Sequence, residues 1–109
     1  MLRLLADQSP LSRKHTNLLL AWMRETPRGA NRIKGALPPS TAVMHKPGSS
    51  GTEGGRTPVW NDIGLVNLPD GRKLAIAVFI TDSTAEESSR DAAIAQISKA
   101  VWDVVVRSR

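Results

Sequence analysis

The sequence predicts an α+β fold, an antiparallel three-stranded sheet with N-terminal helices before it and a C-terminal helix packed on it. Three observations predict this. Apolar residues recur at helical spacing near both ends of the chain, over residues 11–23 and 93–105. Between them, residues 41–81 break into extended segments separated by turn residues, and Pro69-Asp70-Gly71 has the composition of a tight hairpin turn. At 109 residues the chain has the size of one domain, so it is read as a single unit, helical over 1–40 and carrying the strands and last helix over 41–109.

Each element has its own signal. Ser9-Pro10-Leu11-Ser12 starts the first helix, because a serine oxygen can accept a free amide and proline fits the first turn. Leu11, His15, Leu18, Leu19, Trp22 and Met23 form its apolar stripe, expected in the core, and Thr26-Pro27-Arg28-Gly29 ends it. A short turn or helix over 31–36 is stopped by Leu37-Pro38-Pro39. The first strand runs from Thr41 to Lys46 into a glycine-rich stretch, residues 48–55, read as a mobile loop. Val59–Leu68 is the second strand. Lys73–Thr81 is the third, apolar on both faces and therefore expecting cover on both. A capping box follows, Ser83 with Glu86 or Thr84 with Glu87. The last helix then places Ala93, Ile94, Ile97, Ala100, Val101, Val104 and Val105 on a stripe toward the sheet.

Composition narrows the chemistry. With no cysteine and only two histidines, thiolate chemistry is excluded and a protein-built metal site is not expected. The longest apolar run, Leu74 to Ile80, is far short of a membrane span, and Met1–Asp7 lacks a full signal-peptide apolar region. The net charge of +5 lies in residues 1–34, where seven basic residues face two acidic ones. Without tyrosine and with one phenylalanine, this excess lacks the aromatic platforms of a single-strand binder, so no nucleic-acid partner is expected.

Three segments in order carry a family likeness: Asn31-Arg32-Ile33-Lys34-Gly35-Ala36-Leu37-Pro38, then His45-Lys46-Pro47-Gly48-Ser49-Ser50-Gly51, then Asn61-Asp62-Ile63-Gly64 leading to Leu68-Pro69-Asp70-Gly71. Together they resemble the C-terminal part of class A serine β-lactamases, most nearly the PER/VEB-like extended-spectrum branch, from about Leu4 to Val106. The family's S-x-x-K, S-D-N and E-x-x-L-N motifs do not occur in these 109 residues. The likeness therefore implies the last two-fifths of a family member, with the N-terminal half of the domain as its missing partner.

The resemblance also implies site roles. Lys46 matches the strand lysine, whose charge favours a substrate carboxylate and lowers the proton affinity of neighbours; it also reads as a surface strand lysine. The Ser49 backbone N–H matches one of two oxyanion-hole donors, the other belonging to the absent nucleophile. Arg32 matches an arginine that reaches toward the strand lysine and the substrate carboxylate, which a planar guanidinium can bind bidentately, and reads equally as one of a basic cluster with Arg28 and Lys34. Gly48 and Ser50 line the substrate site, Gly48 allowing close backbone approach or only loop flexibility. Pro47, within the substrate-binding segment, stands where the family has threonine or serine, and removes both a hydroxyl and a strand N–H, so that N position should face an edge or the open site. His45, next to the lysine in a strand, is expected to pack or to make a structural hydrogen bond rather than to act as a base. Asn61 and Asp62 have no assigned role.

The implied activity is hydrolysis of the β-lactam amide through an acyl-serine, without metal or organic cofactor, in the periplasm or a secreted form. This chain alone is expected to be inactive and to fold poorly. The alternatives are a catalytically dead binding fragment and a penicillin-recognising transpeptidase, the latter opposed by the Asn31–Gly35 segment.

Overall fold

A computed structural model describes residues 12–108. In chain order these form helix α1 (Arg13–Glu25), strands β1 (Val43–Ser49), β2 (Thr57–Asn67) and β3 (Lys73–Ser83), and helix α2 (Glu87–Arg107). The strands make one antiparallel sheet in the order β1-β2-β3. The predicted fold class is the one observed.

Helix α1 begins where the sequence indicates, with Ser12 Oγ accepting the His15 N–H at 3.1 Å. The part of that start preceding Ser12, including Leu11, lies outside the described residues. The expected apolar stripe is turned from its predicted direction: Thr16 and Met23 are buried, Leu19 and Leu20 are half-buried, and Leu18, Trp22 and His15 face outward. Helix α1 covers one end of one sheet face, where Met23 packs with Met44 of β1 and Leu65 of β2.

Residues 29–37 run as successive turns, Arg32 N–H donating to Gly29 O, Gly35 N–H to Arg32 O and Leu37 N–H to Lys34 O. Ile33 and Leu37 then plug the opposite sheet face. That face holds the main core: Val43, Trp60, Val66 and Ile76 from the sheet, with Ile94 and Trp102 from α2. Along β3, Leu74, Ile76, Val78 and Ile80 turn toward it, whereas Phe79 on the other face stays 65% exposed. Among the described residues β3 is thus covered on one face, not on both.

Three further expectations are corrected. The capping box does not form: α2 starts at Glu86 without a side-chain cap, and Ser83 Oγ instead accepts the Ala85 N–H in a local turn. The α2 stripe is rotated toward Arg90, Ile94, Ala95, Ser98 and Trp102, leaving Ile97 and Val104 exposed. One polar residue on this buried side, Ser98, donates to Ile33 O at 2.8 Å and so carries no large burial penalty. The segment after β1 is an ordered turn. Glu53 and Arg56 exchange two backbone hydrogen bonds of 3.0 Å, and Gly54 and Gly55 both take the positive φ that a tight hairpin turn demands.

Candidate functional site

The site is built on β1, the strand that ends one side of the sheet. Its backbone alternates. Asn67 N–H donates to Ala42 O and Ser50 N–H to Val59 O, so even-numbered residues between them bond inward to β2 and odd-numbered ones point to the open edge. The Pro47 nitrogen therefore faces that edge and removes no ladder bond. The Ser49 N–H faces the same edge and is left free by the β1–β2 ladder, as an oxyanion-hole donor must be.

Side chains alternate too. Lys46 and Gly48 share a face with Ile63 and Phe79, the part of the sheet that α1 does not reach. Lys46 is exposed there, its Nζ donating to Pro47 O at 2.7 Å. Gly48 lies opposite Asn61, and a Cβ on it would stand 2.6 Å from Asn61 Oδ1, so a larger residue here would have to displace the Asn61 amide. Ser50 is exposed beyond the strand end, its Oγ accepting the Val59 N–H at 3.0 Å.

On the other face, His45 and Pro47 are buried. His45 Nδ1 lies 2.8 Å from Asp62 Oδ2 and 3.0 Å from Oδ1, both side chains fully enclosed, and Asp62 Oδ2 also accepts the Ile33 N–H. This pair ties β1, β2 and the 29–37 turns together. His45 thus has the structural bond expected of it, and Asp62 is its partner, a role no sequence spacing signalled. The second ring nitrogen, Nε2, is buried without a partner among the described residues.

Arg32 approaches from the α2 side. Its Nη1 donates to Gly48 O at 3.1 Å and Asn61 O at 2.6 Å, the carbonyls of a facing β1–β2 pair, and its Nε donates to Asp91 Oδ1 at 3.2 Å. The guanidinium lies 4.0 Å over the Trp60 ring, and Arg90 stacks on the same ring at 4.3 Å. Only Nη2 makes no hydrogen bond among the described residues. The fork is mostly committed to the protein, so it offers an anion a single amino group, not a bidentate grip. Arg32 therefore does more than belong to a surface basic cluster: its side chain is 8% exposed and braces the strand pair at Gly48. Sequence reasoning missed Trp60, Arg90 and Asp91, because stacking between a β2 indole and an α2 arginine leaves no local pattern.

The three segments that resemble class A β-lactamases meet at this edge, which bears a lysine, a free amide three residues on and a braced arginine. The fold agrees: the structure matches the crystal structure of TLA-3 extended-spectrum β-lactamase with a TM-score of 0.95 and 42% identity, over 97% of this chain and 39% of that one. It is also 41% identical over 102 residues to the extended-spectrum β-lactamase PER-1 of Pseudomonas aeruginosa, covering 94% of this chain and 33% of PER-1. The β-lactamase VEB-1 of Pseudomonas aeruginosa is 39% identical over 93 residues, 85% of this chain and 31% of VEB-1. The model of the β-lactamase enzyme family matches residues 1–105, and the chain belongs to that family. It spans about a third of the length of these curated relatives.

Proposed function

We propose that these 109 residues act as a single unit, the C-terminal portion of a serine β-lactamase catalytic domain, and supply half of its active site. In this reading the substrate is a β-lactam bearing a carboxylate. Lys46 provides the positive field, Ser49 N–H one oxyanion donor, Arg32 Nη2 a single contact to the carboxylate, and Gly48 and Ser50 the strand against which the ligand lies. The serine nucleophile comes from a segment outside these residues. The observation that carries the proposal is the Ser49 N–H at the open edge beside an exposed Lys46, since a donor already in the ladder could not receive a developing oxyanion. A periplasmic or secreted location belongs to the same reading.

Alone, the chain has no serine followed at the third residue by lysine, so the family's acyl-serine route has no nucleophile within it. The test is hydrolysis of a chromogenic cephalosporin by the chain alone and mixed with the N-terminal portion of a related enzyme. Turnover is expected only in the mixture and is expected to fall at least about a hundredfold in Lys46→Ala, the scale of losing one aimed electrostatic group. Turnover by the isolated chain, or a mixture indifferent to Lys46→Ala, overturns the proposal. Pro47→Thr restores the hydroxyl that the family carries at this strand position and is expected to raise kcat/KM in the active mixture.

A further inference from the structure

We propose that Trp60 is a positioning residue for Arg32, holding its guanidinium in the one orientation that leaves Nη2 to the ligand. This deepens the β-lactam reading and rests on it for the identity of the ligand. The indole lies between two guanidinium groups, Arg32 at 4.0 Å and Arg90 at 4.3 Å from its ring centroid. Its Nε1–H donates to Asp91 Oδ1 at 2.9 Å, and the same oxygen accepts from Arg32 Nε at 3.2 Å. Ring and carboxylate thus grip Arg32 from two directions, one fixing the plane of the fork and the other its rotation within that plane.

The surroundings strengthen the grip. Trp60 and both arginines are each about 7% exposed, so the stacking is largely shielded from water, where cation–π attraction is stronger than at an open surface. Arg90 is held in turn, its Nη1 donating to Ala85 O at 2.6 Å, while its buried Nε has no acceptor among the described residues. The ring face attracts this guanidinium in addition to its bond to Ala85 O. Through Nη1 the arrangement extends to Gly48 O, whose neighbour is Ser49. Trp60 touches no ligand in this scheme and acts through Arg32.

The test reads the guanidinium itself. In the full 109-residue chain, side-chain NMR follows exchange of the Arg32 Nε–H with solvent, assigned by its loss in Arg32→Lys. Trp60→Leu keeps an apolar side chain in the core but removes the ring and the indole N–H, and is expected to speed that exchange about tenfold. An Arg32 Nε–H that exchanges within about twofold of wild type in Trp60→Leu shows Trp60 to be core filling only and overturns the proposal. If Trp60→Leu does not fold, Trp60→Phe decides. It keeps a ring but loses the bond to Asp91, so about threefold faster exchange is expected, and an unchanged rate overturns the proposal. Because turnover is not measured, failure here is separate from failure of the β-lactam reading, which the cephalosporin assay exposes.

Discussion

The two faces of the sheet are built differently. The face toward α2 is closed: Ile33 and Leu37 from the turns and Ile94 and Trp102 from the helix seal against Val43, Val66 and Ile76. Among the described residues the opposite face is covered at one end only, where Met23 meets Met44 and Leu65, and past that end Lys46 and Phe79 lie exposed. The closed face supplies stability. The open face and its β1 edge carry Lys46 and the outward Ser49 amide. A sheet sealed on both sides could not present Lys46 to a substrate, so the incomplete burial of this chain and its candidate chemistry occupy the same place.

This contrast breaks most sharply at the core. Trp102→Ala on the closed face is expected to cost about 3–5 kcal/mol in urea denaturation, whereas Phe79→Ser on the open face should change stability by less than about 0.5 kcal/mol. Equal losses would mean that Phe79 has cover the structure does not show. Next in size is the buried link between β1 and β2. Asp62→Ala strands His45 and the Ile33 amide and is expected to cost about 3 kcal/mol, with Asp62→Asn clearly milder because it still accepts both N–H groups. A thermal melt of the two variants side by side checks the order.

The smallest effect lies at the β2–β3 turn. The Arg72 backbone N–H, helped by its guanidinium, holds the Asp70 carboxyl below its ordinary 3.8. A carboxyl lowered in the folded state stabilises when ionised, so its contribution is present above the unfolded value and is lost as pH falls through the lowered folded one. Asp70→Asn should flatten stability against pH slightly in that acid range and nowhere near neutrality. A change in slope above pH 5 would assign the effect to another group.

Much of this was legible in the sequence, for local reasons. The hairpin at Pro69-Asp70-Gly71, the Ser12 cap and the order of strands depend on residues close together in the chain. The rotation of both helices was not legible. Thr16 and Ser98 are polar yet buried, and Leu18 and Val104 apolar yet exposed, so an apolar stripe pointed each helix the wrong way. The glycines at 54 and 55 looked like mobility and instead fix a turn, because composition does not distinguish a need for positive φ from a lack of order. At the site, Lys46, Gly48 and Ser49 could be located from their own segment. The bracing of Arg32 could not, since Gly48, Trp60 and Asp91 come to it from elements 16 to 59 residues away.

The Ser49 amide stands free of the β1–β2 ladder at the outer edge of β1. Residue-resolved hydrogen exchange on the chain tests it most directly, by comparing neighbours on one strand. Lys46 and Gly48, bonded inward to β2, are expected to be protected, and Ser49 to exchange at least about tenfold faster than Gly48. A Ser49 amide as protected as that of Gly48 would place it inside the ladder and contradict the account.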